Sequence, residues 1–269
     1  MSSTPTVPRT LHYVDDSPVR GLAVAERRVE EPEATLVCIH GGLDRGASFG
    51  RLARRLETFD VVAYDRRGYQ RSRDLGPLSF ELHVGDLLAV ARTEAARGPV
   101  MYFGHSYGGV VALGAALADP TLAQLVMAYE APLPWILKRE SSRPPLSSDA
   151  AMESEIFFKR LVSRGAWERL SEAERQSRRL DGPALVSDLT TLTAVPPLNL
   201  SELTTPTVLV HGDGMQAEHY RALCQKLEQV NPIIATREIR EAGHGAHLSN
   251  PDQLAALIHE LWEQRCALA

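Results

Sequence analysis

The sequence predicts an α/β fold with a mostly parallel central sheet, flanked by helices and interrupted by an inserted helical segment. Short apolar, β-rich runs alternate with amphipathic segments of helix length, which is typical of βα units around a parallel sheet. The alternation stops between residues 132 and 205, where helical patterns follow one another without a strand-like run. We therefore divide the chain into a core, residues 1–131 and 206–269, and a helical insertion, residues 132–205.

In the first half of the chain, the predicted strands are short continuous apolar runs, as expected for strands buried on both faces of a sheet. A weakly alternating segment at 19–29 is expected to form an edge strand before them. The segments between the strands have the apolar spacing of helices. The predicted strands are 34–39, 60–64, 99–103 and 122–129, and the predicted helices are 47–57, 79–96 and 107–118.

In the second half, a polar loop rich in proline and serine runs from Arg139 to Ala150. Three helical patterns follow it, and then the alternation of strands and helices resumes. The predicted helices of the insertion are 151–163, 166–178 and 183–192; after it come strands at 206–210 and 233–239 and helices at 216–230 and from about 251.

Length and composition exclude several classes of protein. A chain of 269 residues suits a single α/β unit, and 44% hydrophobic with 23% charged residues is ordinary for a globular protein. The net charge of −5 argues against nucleic acid or an anionic membrane surface as the main partner. The first twenty residues contain no apolar stretch of signal-peptide length. We expect a cytoplasmic protein, monomeric or homodimeric.

Neither a disulfide framework nor a metal site is expected. Cys38, Cys224 and Cys266 are odd in number and widely spaced, and Cys38 lies in an apolar run typical of a buried thiol. Four histidines could form a metal cluster, but no ligand spacing supports one, and no cofactor is implied. These four are His40, His105, His244 and His247.

A candidate nucleophile lies in Gly104-His105-Ser106-Tyr107-Gly108, which fits the pattern G-x-S-x-G between a predicted strand and a predicted helix. Such a sharp strand-to-helix turn exposes the serine, and the positive end of the helix stabilises developing negative charge. The alternative is a glycine-rich turn without a catalytic role. The flanking strand and helix favour Ser106 as the nucleophile.

An activated serine needs a base, and histidine has a suitable pKa near neutrality. His244 follows the last predicted strand, so its loop returns to the sheet edge that carries Ser106. His247, in the same loop, is expected to pack beneath it. His83, His219 and His259 lie in helical patterns and are expected to be solvated.

The oxyanion of an attacked carbonyl needs two backbone N–H donors. One is expected from Tyr107, the residue after the nucleophile, and the other from the loop that follows the first buried strand. In that loop we favour the N–H of Gly42, with Leu43 as the alternative.

Four motifs in order resemble those of the α/β-hydrolase fold family: HGG at 40–42, DRRGYQRS at 65–72, GHSYGG at 104–109 and GHGAHLSNP at 243–251. The resemblance covers essentially the whole chain. It implies an α/β-hydrolase fold, in which the insertion corresponds to the family's cap domain. One departure is Gln70, which stands where the family has the second glycine of its D-x-R-G-x-G-x-S turn.

A second departure concerns the acid of the triad. The family's usual position, G-x-x-D after the run PTVLVHG, holds Met215, and Asp213 comes two residues early. Glu130, at the end of an earlier strand, resembles the acid of some family members, and a carboxylate there can still orient the histidine. We favour Glu130, with Asp213 as the alternative. Each could instead be a strand-end or turn residue.

A serine nucleophile excludes the dehalogenase and epoxide-hydrolase chemistries of the family, which use an aspartate. The remaining chemistry is acyl transfer on a small-molecule acyl substrate, with hydrolysis of a carboxylic ester as the first expectation. A thioesterase, a lactonase or a C–C bond hydrolase would use the same triad. A weakly catalytic, receptor-like binding protein is the alternative if neither carboxylate reaches His244.

The insertion is expected to determine the substrate. Its aromatic residues could line an apolar acyl pocket, or they could pack the helices of the insertion together. Its arginines between 160 and 179 alternate with acids, as on solvated helix faces, although they could also steer an anionic substrate. The candidate pocket residues are Trp135, Phe157, Phe158 and Trp167.

Overall fold

The computed structural model describes residues 10–138, 145–194 and 198–265. Within these ranges, eight strands form one sheet. The strands are β1 (His12–Val14), β2 (Val24–Arg27), β3 (Ala34–Ile39), β4 (Phe59–Tyr64), β5 (Val100–His105), β6 (Leu125–Tyr129), β7 (Thr207–Gly212) and β8 (Ile234–Ile239).

The strand order is β1-β2-β4-β3-β5-β6-β7-β8. The pairs β1–β2 and β2–β4 are antiparallel, and the other five pairs are parallel. The central strand β3 pairs with β4 and β5, and all six of its residues are buried. This burial explains its continuous apolar run. The predicted fold class, a mostly parallel sheet flanked by helices, is confirmed.

Helices cover both faces of the sheet. Side chains of α2, α3 and α8 build the core on one face, and those of α1 and α10 build it on the other. The helices are α1 (Gly50–Ala53), α2 (Phe80–Ala95), α3 (Tyr107–Ala118), α4 (Ala150–Phe158), α5 (Arg164–Arg169), α6 (Glu172–Leu180), α7 (Gly182–Ala194), α8 (Ala217–Val230), α9 (Ala246–Ser249) and α10 (Pro251–Gln264). No described helix is long and apolar enough to cross a membrane.

Between β6 and β7, the described part of the chain forms helices α4 to α7 and contains no strand. We call these helices the helical insertion. Its apolar cluster includes Phe158, Trp167 and Leu185, and it packs on Leu43 and Tyr69 of the core. The insertion therefore lies over the loops that follow β3 and β4.

Three local predictions were wrong. Residues 19–29 were expected to form an edge strand, but β2 lies one strand inside the edge, because the unpredicted β1 pairs outside it. The helix expected at 47–57 is a 3-10 turn followed by the short α1, since the chain must then turn into β4. The helix expected at 166–178 is divided in two, because Ser171 begins α6 with a capping box to Glu174.

Two features of the sequence lie wholly or partly outside the described residues. Cys266 is one of them, and the first part of the polar loop that begins at Arg139 is the other. Cys38 and Cys224 are buried free thiols.

Candidate active site

Ser106 lies at a sharp turn between β5 and α3. Its φ of 54° and ψ of −124° place a non-glycine residue in a sparsely populated conformation, which the surrounding structure must hold. Its N–H donates to the Tyr129 carbonyl at 2.8 Å and so extends the sheet into the turn. Gly108 allows the turn to pack on the end of β3, because a Cβ there would lie 2.1 Å from the Ile39 carbonyl oxygen.

Two sets of backbone N–H groups flank Ser106. Tyr107 begins α3, and N–H groups in a first helical turn have no acceptor within the helix. On the other side, Gly41 lies against the serine, since a Cβ at Gly41 would be 2.9 Å from Ser106 Cβ. The loop of Gly42 and Leu43 thus lies beside the nucleophile turn, where the sequence placed the second donor.

The Gly41 carbonyl is held by two donors. His40 Nδ1–H donates to it at 2.6 Å, and Arg66 Nη2 donates to it at 3.4 Å. Arg66 also donates from Nε to the His40 carbonyl at 2.8 Å. In a trans peptide the N–H points opposite to the C=O, so the Gly42 N–H points away from Arg66 and His40. These two residues therefore fix the direction of that N–H.

Arg66 is fully buried, and its charge is balanced by Asp188 of α7 in the insertion, with Nη2 and Oδ2 2.6 Å apart. The Tyr69 hydroxyl donates to the same carboxylate at 2.7 Å. Burial raises the pKa of Asp188, but the charge of Arg66, together with hydrogen bonds from His83 and Arg66, outweighs burial and holds that pKa below its usual range. Burial, and then the charge of Arg66, lowers the pKa of His40 to about 3, so His40 is neutral. A buried ion pair thus joins the insertion to the loop of Gly42.

Sequence reasoning did not single out Arg66 or Asp188. The signals were present: Arg66 belongs to the motif DRRGYQRS, and Asp188 is the one acid in the largely apolar α7. Gln70 of the same motif has a φ of 46°, the region that a glycine would favour, and its backbone N–H donates to Asp181 at 3.1 Å.

Glu130 directly follows β6, and its side chain is only 4% exposed. Its Oε2 accepts a hydrogen bond from His244 Nδ1 at 2.6 Å, and its Oε1 accepts one from the Gly212 N–H at 3.1 Å. Because Nδ1 of His244 donates to the carboxylate, Nε2 carries the lone pair of the neutral ring. The structure therefore brings Glu130 and His244 together in the orientation a general base requires.

Asp213 has a different role in the described structure. Its Oδ1 accepts a hydrogen bond from the Ala242 N–H at 3.2 Å, so it stabilises the loop before His244 and does not contact the ring. Met215, at the family's usual acid position, is fully exposed.

His244 is adjacent to the nucleophile turn through His105, the residue before Ser106. The two imidazole rings lie 4.7 Å apart between centroids, and His105 Nε2–H donates to the His244 carbonyl at 2.7 Å. Among the described residues, no hydrogen bond joins Ser106 Oγ to the His244 ring. In sites without substrate this contact is often long and tightens when substrate binds.

A second histidine–carboxylate pair lies beneath the same loop. His247 is buried, as expected, and its Nε2 lies 3.3 Å from Asp44 Oδ2. The His105 ring is 4.6 Å from that of His247. Ligand atoms of Asp44, His105 and His247 all lie within 4.8 Å of one another. The four-histidine cluster weighed from sequence is not assembled, because His244 binds Glu130 and His40 bonds to the backbone of its own loop and of Arg66.

The expectation that His83 is solvated was wrong. Its side chain is 2% exposed, and its Nε2 lies 3.3 Å from Arg66 Nη1 and 3.4 Å from Asp188 Oδ1. α2 packs this face under the insertion, so burial and then the charge of Arg66 lower the pKa of His83. His219 and His259 are half-buried.

The aromatic pocket candidates lie in three places. We call the loop of Gly42 and Leu43 the oxyanion loop, after the role expected for it. The Phe157 ring faces this loop, 3.6 Å from where a Cβ of Gly42 would be. Phe158 and Trp167 are buried and pack on each other, with ring centroids 5.4 Å apart. Trp135 is half-buried against the core cluster of the α2–α3 face. Phe157 is thus the candidate beside the nucleophile turn, whereas Phe158 and Trp167 form the interior of the insertion.

Comparison with known proteins adds family information to this geometry. A model described as "Alpha/beta hydrolase family" matches residues 36–257. The chain is 36% identical to Lipase LipV of Mycobacterium tuberculosis over 95 residues, which is 35% of this chain and 36% of that lipase. It is 24% identical to a pimeloyl-[acyl-carrier protein] methyl ester esterase of Aliivibrio fischeri over 268 residues, covering 88% of this chain and 96% of the esterase.

Among solved structures, the N-formylmaleamic acid deformylase of Pseudomonas putida S16 superposes with a TM-score of 0.66 at 21% identity. The match covers 93% of this chain and 99% of the deformylase. At this identity the likeness concerns the fold, which is the fold that the sequence motifs predicted.

Proposed function

The chain belongs to the alpha/beta hydrolase family, and on that premise we propose that it is a serine hydrolase that cleaves a carboxylic ester through an acyl-enzyme intermediate. Ser106 is the proposed nucleophile, His244 the general base and Glu130 the acid. The observation that carries the proposal is the 2.6 Å hydrogen bond between His244 Nδ1 and a buried Glu130, beside a serine in a strained turn. A carboxylate at this place leaves Nε2 free to accept the serine proton.

The proposed reaction has two halves. His244 Nε2 takes the Ser106 proton as Oγ attacks the ester carbonyl, and the N–H groups of Tyr107 and Gly42 stabilise the resulting oxyanion. His244 then protonates the departing alcohol, which leaves an acyl-serine. In the second half, water gives a proton to His244 and attacks the acyl carbon, and Ser106 leaves with the proton returned from His244.

Thioesters, lactones and C–C bonds remain alternative substrates of the same groups. The relatives support esters first, because the two curated relatives above are named a lipase and a methyl ester esterase. The receptor-like alternative rested on a histidine without an acid partner, and the contact between His244 and Glu130 argues against it. Phe157 is proposed to contact the acyl group. Three further points stay predictions: the location in the cytoplasm, the oligomeric state (monomer or homodimer), and the role of the insertion as a cap.

The test is hydrolysis of a series of p-nitrophenyl esters, from short to medium acyl chains, by wild type and by Ser106→Ala. We expect release of nitrophenolate by wild type and a loss of kcat of at least about 10³-fold in the variant. A fluorophosphonate probe should label wild type and not Ser106→Ala. Equal turnover by both proteins would falsify the assignment of the nucleophile, and a lack of both turnover and labelling would overturn the serine-hydrolase proposal.

A further inference from the structure

A cleft of about 390 Å³ opens between the loop after β3 and the helical insertion. Four arginines line it, three from the core and one from the insertion. Arg45 follows β3, Arg51 lies in α1, Arg54 directly follows α1, and Arg178 lies in α6. Among the described residues that line the cleft, Asp44 is the one acid. The cleft is therefore strongly positive in a chain whose net charge is −5.

Asp44 and Glu174 offset only part of this charge, because they are two carboxylates beside four guanidinium groups, and each also has other partners. Asp44 Oδ2 lies 3.3 Å from His247 Nε2 and accepts a hydrogen bond from Ser48 Oγ at 3.0 Å. Glu174, one turn before Arg178 in α6, accepts hydrogen bonds from the N–H and the hydroxyl of Ser171, at 2.9 and 2.8 Å.

Several guanidinium N–H groups of the cleft arginines have no hydrogen-bond acceptor among the described residues. Within the described ranges, the side chains of Arg45 and Arg54 form no hydrogen bond or ion pair, and only their backbone groups are bonded. Arg178 donates from Nη1 to the Glu174 carbonyl at 3.2 Å, but its Nε is buried without a partner. Burial, and then the charge of Arg45, lowers the pKa of Arg178. Two guanidinium groups that repel each other gain stability when an anion binds between them.

The cleft also borders the proposed active site. Leu43, which follows the oxyanion donor Gly42, lines one side. Leu248 lies in α9, directly after the loop of His244, and also lines the cleft; its carbonyl accepts a hydrogen bond from Arg51 at 2.9 Å. A group bound in the cleft would therefore lie next to the loop of Gly42 and to the helix that follows His244.

We propose that this cleft binds an anionic oxygen group of the substrate, a carboxylate or a phosphate. The substrate class is then an ester that carries a negative charge apart from its scissile bond. The planar guanidinium binds either group through paired N–H donors, and a cleft lined by one sign of charge concentrates ligands of the opposite sign. This proposal rests on the ester hydrolysis proposed above, and it specifies in addition that the substrate is negatively charged.

The test compares matched esters. On the acyl side the pair is mono-p-nitrophenyl glutarate and p-nitrophenyl pentanoate; on the alcohol side it is p-acetoxybenzoate and phenyl acetate. We expect kcat/KM to be about tenfold higher for the anionic member of at least one pair, and the difference to shrink at about 0.5 M NaCl. The preference should be lost in the double variant Arg45→Gln/Arg178→Gln.

Two variants control for folding and for general charge effects. Arg45→Gln alone changes an exposed side chain, so it should reduce the preference without altering the fold. Arg92→Gln removes one charge from α2, on the opposite face of the sheet from α1, and should keep the full preference. Arg92→Gln should also cleave neutral esters at the wild-type rate.

The outcomes separate this proposal from the proposed function. Suppose that neutral esters are cleaved and that this cleavage depends on Ser106. The cleft proposal alone is then overturned if anionic esters are not preferred, or if the Arg45 and Arg178 variants keep the preference. If no ester is cleaved, the proposed function fails, and calorimetry with glutarate and with inorganic phosphate decides the cleft. Binding that weakens about tenfold in the double variant supports it and distinguishes carboxylate from phosphate; no binding of either overturns it.

Discussion

Two histidine–carboxylate pairs lie in the same corner of the molecule and differ in which partner is buried. In the pair His244–Glu130 the ring is 24% exposed and the carboxylate 4%, whereas in the pair His247–Asp44 the ring is 2% exposed and the carboxylate 21%. In the first pair the acid lies behind the ring and leaves Nε2 accessible. In the second the acid lies between the ring and solvent. We infer that the order of burial, more than the pairing itself, distinguishes the proposed base His244 from His247, which supports a loop.

The comparison predicts that substitution of His244 lowers mainly kcat, whereas substitution of His247 lowers mainly the stability. The loss of kcat in the His244 variant is the largest effect we expect. His244→Gln should reduce kcat by about 10³- to 10⁴-fold with little change in stability, since it removes the proposed base from a half-exposed site. His247→Gln should reduce kcat by less than about tenfold but lower the free energy of unfolding by roughly 1–3 kcal/mol, because it alters a buried contact. Ester kinetics and urea unfolding of both variants measure this. Equal kinetic losses would remove the distinction.

The carboxylates sharpen the same comparison. Glu130→Gln keeps the shape of the side chain but cannot stabilise the charged ring, so we expect kcat to fall by about 10²- to 10⁴-fold. Asp213→Asn is the matched control, because Asp213 bonds to the Ala242 N–H instead, and should stay within about twofold of wild type. The measurement is kcat with one p-nitrophenyl ester at saturation. A larger loss in Asp213→Asn would reverse the assignment of the acid.

The sequence could predict the elements of this site because each follows a strand in a parallel sheet. Parallel strands bring their carboxyl ends to one edge, so Ser106, Glu130 and His244 could be expected together from their order in the chain. The strand at 34–39 and the helix at 107–118 were also predicted with the bounds that the structure has. These regions are buried on both sides, and local pattern and tertiary structure agree there.

The sequence could not predict contacts that depend on packing between distant segments. The partners Arg66 and Asp188 are 122 residues apart, and no local pattern relates them. His83 follows helical periodicity like a surface residue, but the insertion covers it. Three cleft arginines lie close together in the core, at 45, 51 and 54, and only the docking of the insertion brings Arg178 of α6 to them.

The ion pair Arg66–Asp188 extends the comparison to the oxyanion loop. Arg66→Gln and Asp188→Asn each leave a buried group without its partner, so each should cost about 3–5 kcal/mol of stability. Each should also lower kcat, by roughly tenfold to a hundredfold, because the Gly41 carbonyl and hence the Gly42 N–H lose their fixed direction. The free energy of unfolding in urea and kcat with one ester are measured on the same protein preparations.

The double variant Arg66→Met/Asp188→Leu separates these two effects. It replaces the ion pair with apolar side chains, which can restore stability. It cannot restore the hydrogen bonds from Arg66 to the carbonyls of His40 and Gly41, so kcat should stay low. If kcat recovers together with stability, Arg66 has only a structural role.

The smallest expected effect concerns acid stability and the buried histidine His40. The pKa of His40 is lowered from 6.5 to about 3 in the folded protein, mainly by burial, so below pH 6.5 the unfolded chain takes up a proton that the folded protein does not. Its contribution to stability is therefore complete above pH 6.5 and is lost as the pH falls, at about 1.4 kcal/mol per pH unit. Urea unfolding between pH 7 and pH 5 should show this loss, and His40→Gln should show a shallower dependence. A His40→Gln protein with the slope of wild type would mean that other groups carry the acid sensitivity, since glutamine does not titrate.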